Sequence, residues 1–349
     1  MIDTICDTLI GLVSQYSPSG QEHAAVEWLV ARMRSLGYDD AFLDEAGNAI
    51  GVMGHGPKQV VLLGHIDTVP GEIQVQRDTV SLYGRGSVDA KSALACFVDA
   101  VAQVGAKEAW QFVVIGAVEE ERDSEGARFV TSRYKPDFAI IGEPNQWDRV
   151  ALGYKGSAWV HVTARHGQAH SASGEVTAAE AAVEAWLQIK AYVDAYNAEK
   201  QKMFDKLLLT LRGMDSDSND FEQWARLKIG VRLPVDVSPV QWYEQLKEIV
   251  DDSRLVVEPI GFAIPAWECE KNTKLVRAFL KGIRLQAGEP RFVYKTGTAD
   301  LNIVAPAWKC PALVYGPGDS SLDHTPDEQI EFAEYLKAVH VLSQVLGDV

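Results

Sequence analysis

The chain has 349 residues, 47% of them apolar, with 49 acidic against 33 basic side chains and a net charge of −16. That length exceeds one ordinary core, so two domains are expected, and the negative balance argues against nucleic acid or an anionic membrane surface as partner. No apolar run reaches the ~18 residues that span a bilayer, and Cys6, Cys96, Cys269 and Cys310 lack paired spacing, as free thiols of a reducing compartment do.

Met1–Cys6 carries no basic leader before an apolar stretch, so no signal peptide is expected and the compartment reads as cytoplasmic. Val60–Leu63 is apolar, β-branched and ends at a glycine, which predicts a buried strand. His65 leaves its carboxyl end, in Gly64-His65-Ile66-Asp67-Thr68-Val69-Pro70, with Asp67 one alternation further on. A carboxylate two residues away can hold the second nitrogen of a metal-binding imidazole. Asp89, in Gly86-Ser87-Val88-Asp89-Ala90-Lys91, opens a helical stretch over Lys91–Val104.

Trp110–Val118 predicts a second core strand, and it ends in Glu119-Glu120-Glu121. Carboxylates crowded at the end of a buried strand repel unless a cation or a shared proton is present. A solvated acidic loop is the plain alternative, since Asp123 and Glu125 follow. Phe138–Ile141 repeats the pattern and leads to Gly142-Glu143-Pro144.

After Glu143 the pattern changes. Gly156–Arg165 alternates as a strand and Thr177–Lys206 reads as a long Ala-rich helix. Strand-like runs at Lys206–Arg212 and Ala225–Leu233, a helix at Pro239–Val250 and a strand at Arg254–Ile260 complete an inserted ferredoxin-like α/β module. A helix near Lys271–Gln286 returns the chain to the first domain. Ala312–Val314 is a last strand, and His324 follows in Leu322-Asp323-His324-Thr325-Pro326-Asp327-Glu328. Open α/β sheets gather their sites at the carboxyl ends of strands, so His65, Asp89, the Glu run, Glu143 and His324 can converge.

Two histidines with several carboxylates and no cysteine suit two divalent ions of the Zn²⁺, Co²⁺ or Mn²⁺ type. One carboxylate can bridge such a pair, ~3.5–4 Å apart in hydrolases. Another must carry a proton from the attacking water to the leaving amine. The Glu120-Glu121 doublet can serve both needs, because neighbouring side chains point different ways.

With these motifs the chain resembles the M20 metallopeptidase family over nearly its whole length. The resemblance implies a central mixed sheet flanked by helices, with the inserted ferredoxin-like module as lid and dimerisation domain. The boundaries read 1–155 and 266–349 for the di-metal domain and 156–265 for the insert. It implies metal ligands at His65, Asp89 (bridging), Glu121, Glu143 and His324, a supporting Asp67, and a catalytic base at Glu120. The alternative register makes Glu119–Glu120 the pair. The ions implied are two Zn²⁺ or Co²⁺. His170, an ordinary loop histidine by its surroundings, matches a family histidine that reaches the partner subunit's site to stabilise the oxyanion. Arg232 matches an arginine for a substrate carboxylate, and Gly297 and Thr298 match a glycine-rich loop near the substrate. Lys155, before Gly156, reads equally as a hinge residue or a ligand for an acidic substrate.

Within the family, Pro18–Glu22, Tyr154–Ser157, Lys295–Asn302 and the DHTPDE ending resemble hydrolases of lysine and ornithine biosynthesis. These release the amino acid from an amino-group carrier protein by cutting the amide between its C-terminal glutamate side chain and the α-amino group. The implied partners are a second subunit and an acidic carrier. An acidic carrier would be repelled by a chain at −16 unless basic residues concentrate locally, and Arg165, His166, Arg212, Arg226 and Lys228 are the candidates. The other readings are an N-acetylornithine deacetylase or succinyl-diaminopimelate desuccinylase, and a non-catalytic metal-dependent binding protein of the same fold.

Overall fold

The computed structural model describes residues 6–170 and 172–348; residues 1–5, 171 and 349 lie outside the described residues. The chain forms two compact units, one of Met1–Gly153, Cys269–Tyr294 and Ala299–Val349, the other of Tyr154–Glu268 and Lys295–Thr298. The breaks thus fall at 153/154 and 268/269 rather than 155/156 and 265/266. Lys295–Thr298 groups with the second unit because the Lys155 N–H donates to the Lys295 carbonyl at 3.2 Å and Arg232 Nη1 donates to Thr298 Oγ1 at 3.1 Å.

In the first unit a mixed sheet runs Asp40–Leu43, Ala49–Met53, Trp110–Ala117, Lys58–His65, Phe138–Gly142, Ala312–Val314, Arg149–Tyr154. The strands from Trp110–Ala117 through Ala312–Val314 are parallel, and their outer neighbours pair antiparallel. Parallel strands are covered on both faces and read as continuous apolar runs. Val60–Leu63, Phe112–Ile115 and Ala139–Ile141 are accordingly all buried.

The helix Lys91–Val104 is buried from Lys91 to Val101, pressed between this sheet and the helices Asp7–Val13 and Phe332–Asp348. A row of glycines lets it come close. Gly64 pairs with Gly116 on one side and Gly142 on the other. A Cβ on Gly142 would stand 3.0 Å from Phe97 Cε2 and 3.2 Å from the Gly64 Cα, and one on Gly64 would stand 3.3 Å from Leu94 Cβ. A side chain here would require Phe97 or Leu94, on the helix that follows Asp89, to give by a few tenths of an ångström.

The second unit is an antiparallel sheet in the order Leu208–Ser218, Glu222–Leu233, Gly156–Gly167, Leu255–Ile264. In chain order this is 2-3-1-4, the ferredoxin-like arrangement. The helices Ala178–Asn197 and Pro239–Ile249 cover one face, burying Ala158, Val160, Val162, Ala225, Leu227 and Ile229 against Ala181, Ala185, Ile189 and Trp242. Each helix starts at a capping box, Thr177 with Glu180 and Ser238 with Gln241. The first stops at Asn197, short of the expected Lys206. The polar run Glu199–Lys202 offers no apolar stripe to continue it, and Asn197 instead ties both the N–H and the carbonyl of Leu207 at 2.9 and 2.8 Å. Among the described residues no helix is long and apolar enough to cross a membrane.

Candidate metal centre

Adjacent parallel strands deliver the polar groups. Lys58–His65 ends in His65, Trp110–Ala117 leads to Glu120 and Glu121, Phe138–Gly142 leads to Glu143, and Ala312–Val314 is followed by the loop carrying His324. Asp89 arrives from the turn before the buried helix. Its two oxygens face two imidazoles: Oδ1 lies 3.1 Å from His65 Nε2 and Oδ2 lies 3.0 Å from His324 Nε2. His324 Nε2 also stands 2.9 Å from Glu121 Oε1. Ligand atoms gather within 4.8 Å of one another in three trios: His65, Asp89 and Glu143; Asp89, Glu121 and His324; and His65, Glu120 and Glu121. Asp89 is common to the first two.

Asp67 organises this cluster from behind. Its backbone carbonyl lies 3.0 Å from His65 Nδ1. Its carboxylate accepts from the N–H groups of Glu120 at 3.0 Å and Glu121 at 3.1 Å, and from Ser19 Oγ at 2.7 Å. One side chain therefore orients the first imidazole and shapes the acidic turn. Glu119 points away: it takes left-handed φ of +60°, and its carboxylate lies 3.7 Å from Arg122 Nη1. His324 is also left-handed, with φ of +62°. Non-glycine residues in this region cost ~1–3 kcal/mol and persist where the surroundings over-determine them.

The electrostatics are those of crowded carboxylates. Burial, with Glu143, Asp300 and Glu121 adding repulsion, holds the Glu120 carboxyl well above the usual range. Burial likewise raises Glu143 strongly and Glu121 to a lesser degree. Burial opposes a charge on His65, yet Asp67 and Asp89 raise its proton affinity well above the ordinary value. Asp89 and Glu121 push His324 up to about 10. Enclosed negative charge beside imidazole nitrogens that face carboxylate oxygens is a donor set suited to divalent cations.

Residues 61–348 match the model of peptidase family M20/M25/M40. A LysW-lysine hydrolase of Deinococcus radiodurans is 41% identical over 96% of this chain and 94% of that protein. A putative LysW-lysine/LysW-ornithine hydrolase of Thermococcus kodakarensis is 39% identical over 97% and 90%. The crystal structure of a tripeptidase from Staphylococcus aureus superposes with a TM-score of 0.80 at 17% identity, covering 100% of this chain and 98% of that one. The chain belongs to peptidase family M20/M25/M40. It is thus a metal-dependent hydrolase by family, and the trios around Asp89 are groups that could hold a divalent ion.

Other residues singled out in the sequence lie in the second unit. Arg232 meets Thr298 as described, and the Cβ direction of Gly297 opens on free space. His170 is exposed, its Nδ1 accepting from the Ala172 N–H at 3.1 Å. Lys155 is fully buried; its Nζ donates to the Phe204 carbonyl at 2.9 Å and to that of Lys206. This anchors the start of strand Gly156–Gly167 to the 203–206 turn and commits the ammonium to backbone carbonyls of its own unit rather than to an acidic substrate.

The face of the second sheet opposite its helices gathers Trp159, Arg165, Trp224, Arg226 and Lys228. Arg212 and Lys228 lie 6.0 and 5.6 Å from the Trp159 ring centre, and Arg226 lies 5.7 Å from that of Trp224. His166 alternates onto the other face, opposite Gln223. In the sequence Asp300 reads as part of a loop. It is buried in the first unit, its carboxyl pushed up to about 7 by burial, and it adds to the charge that raises Glu120. A lone acidic residue ahead of the apolar helix Leu301–Trp308 was the available signal.

Binding ions at this site should stabilise the fold. Co²⁺ or Zn²⁺ at a hundredfold over its dissociation constant should add ~2.7 kcal/mol to unfolding. Calorimetry on chelator-treated and reloaded protein should show the rise in Tm, and Asp89→Asn should remove most of it. An unchanged Tm on reloading would mean that the cluster binds no ion.

Proposed function

We propose that this chain is a di-metal amidohydrolase that releases lysine, ornithine or both from an amino-group carrier protein, by hydrolysis of the γ-glutamyl amide to the α-amino group. The observation that carries the chemistry is Asp89, shared between two ligand trios with its two oxygens 3.1 and 3.0 Å from His65 and His324. The substrate reading is supported by relatives at 41% and 39% identity over nearly the whole chain, which are named as LysW-lysine or LysW-lysine/LysW-ornithine hydrolases.

In this reading His65, Asp89 and Glu143 hold one ion, and Asp89, Glu121 and His324 hold the other. Bound ions, Zn²⁺ or Co²⁺, would polarise the amide carbonyl and ease deprotonation of the attacking water. Glu120 takes that proton and delivers it to the departing amine. Its enclosed carboxyl, with raised proton affinity, suits a group that must both accept and release a proton near neutral pH. Asp67 keeps the base and its neighbour in place through their backbone N–H groups. The register with Glu119 as base is disfavoured by its turn toward Arg122. The inserted unit serves as lid and dimerisation module, with His170 completing the partner's site and Arg232, with Gly297 and Thr298, taking the substrate carboxylate. The enzyme works in the cytoplasm.

The repulsion between an acidic carrier and a chain at −16 is relieved by the open sheet face of the second unit. There Arg165, Arg212, Arg226, Lys228 and Arg232 stand against Asp215, Asp217, Glu222 and Glu258 on the same strands. A free N-acyl amino acid would have no use for that face.

Exchange of the two glutamates separates their roles. Glu120→Ala should keep two ions per chain and lose ~10²–10⁴-fold in kcat, whereas Glu121→Ala should lower the metal content measured by atomic emission. The reverse pattern would shift the register by one residue.

Substrate class is decided by turnover of carrier-linked lysine and ornithine beside N-acetylornithine and succinyl-diaminopimelate. Carrier-linked substrates should be preferred, and Arg226→Glu/Lys228→Glu should raise their KM severalfold, an effect that fades with salt. Equal turnover of the free N-acyl amino acids would favour the deacylase reading.

Mixing His170→Ala chains with Glu120→Ala chains tests the shared site. Random pairing makes half the dimers mixed with one intact site each, so up to about one quarter of wild-type activity should return, since a positioned oxyanion donor acts only on the site it reaches. No recovery despite subunit exchange would confine His170 to its own subunit or remove it from catalysis.

A further inference from the structure

Glu328 is 1% exposed and Arg85 8% exposed, and neither belongs to the ligand set or touches the proposed base. Their contacts converge on the backbone that presents two ligands. Glu328 Oε1 accepts from the N–H groups of Val88 at 2.9 Å and Asp89 at 3.0 Å. Its Oε2 accepts from Arg85 Nη1 at 2.9 Å. Arg85 Nη1 also donates to the Thr325 carbonyl at 3.1 Å, and Arg85 Nε donates to the Gly71 carbonyl at 2.9 Å. The Gly84 N–H closes the same loop on the Glu328 carbonyl at 3.2 Å.

Asp89 and His324 stand far apart in the chain, and this pair spans both of their segments. Glu328 lies four residues beyond His324 and grips the Asp89 N–H, while Arg85 lies four residues before Asp89 and grips the carbonyl next to His324. A buried ion pair is a poor device for stability alone, because desolvation offsets most of its attraction. Its known use is to fix one arrangement among several. Here a carboxylate is required: one oxygen serves two N–H groups while the other serves a guanidinium.

We propose that Glu328, held by Arg85, is a positioning residue for the metal centre, setting Asp89 against His324 so that one carboxylate serves both ions. The inference rests on the ligand roles given above to Asp89 and His324. Glu328 acts through the backbone and binds neither metal nor substrate.

Titration of the chelator-treated protein with Co²⁺, followed by its visible absorption, tests this without turnover. Glu328→Ala and the isosteric Glu328→Gln should each stay folded by near-UV circular dichroism. In Gln the amide NH₂ must face either Arg85 or the two N–H groups, donor against donor. Both variants should bind Co²⁺ ~10–100-fold more weakly, the usual cost of losing a group that orients a ligand, and the absorption bands should shift in position and intensity. A merely structural pair would lower Tm and leave the affinity and spectrum of the folded protein unchanged, and that result in either folded variant overturns the proposal. Failure of both variants to fold would assign the pair to stability and overturn it equally. Absence of Co²⁺ binding by the wild-type chain would instead bring down the ligand reading itself.

Discussion

The first unit is organised around one requirement: a carboxylate must sit between two imidazoles that come from opposite ends of the chain. Asp89 meets it only because the helix behind it lies hard against the strand ends. The glycine row at Gly64, Gly116 and Gly142 removes the side chains that would hold the helix off. The helix is buried from Lys91 to Val101 because both of its sides are covered, by the sheet and by the terminal helix Phe332–Asp348. Packing density here is therefore part of the site's geometry: an extra methyl under the helix must be taken up by shifts at Phe97 or Leu94, on the helix that follows Asp89.

Negative charge at this point is tolerable only with compensation. Glu120, Glu121 and Glu143 are all pushed toward the protonated form, chiefly by burial, while both imidazoles are drawn toward the charged form by carboxylates. The chain has concentrated acceptors well beyond what its own cations can satisfy. Burying such groups unpaired is among the costliest arrangements a fold can carry. An external dication is the economical partner, and the left-handed backbone at Glu119 and His324 shows local strain accepted to aim these side chains.

Much of this was legible in the sequence because the local signals were strong. Apolar runs ending in Gly-His, Gly-Glu or a glutamate run mark strand ends with little ambiguity, and the His65, Asp89, Glu121, Glu143 and His324 side chains all gather there. The ferredoxin-like order of the insert followed from the succession of strand-like runs and two helical segments. What escaped was whatever depends on tertiary partners. The Asn197 clamp that ends the long helix, the burial of Lys155 under carbonyls and the side of the strand that His166 occupies are set by contacts remote in sequence. Asp300 carried no local mark beyond its charge, and its proximity to Glu120 exists only once the loop is folded.

The two units divide the electrostatic work. The first gathers acidic groups that need cations, and the second turns a face of arginine, lysine and tryptophan outward on a chain whose sum is −16. Cations lying over indole rings are partly shielded yet remain available to an incoming carboxylate, because the ring occupies one side of the guanidinium and leaves its N–H edge free. Such a face attracts acidic surfaces over roughly the Debye length of ~8–10 Å, while the carboxylates of the metal centre repel them. The distribution of charge, more than its total, therefore decides what each unit can receive: dications at the carboxylates of the first, and acidic surfaces at the arginine and lysine face of the second.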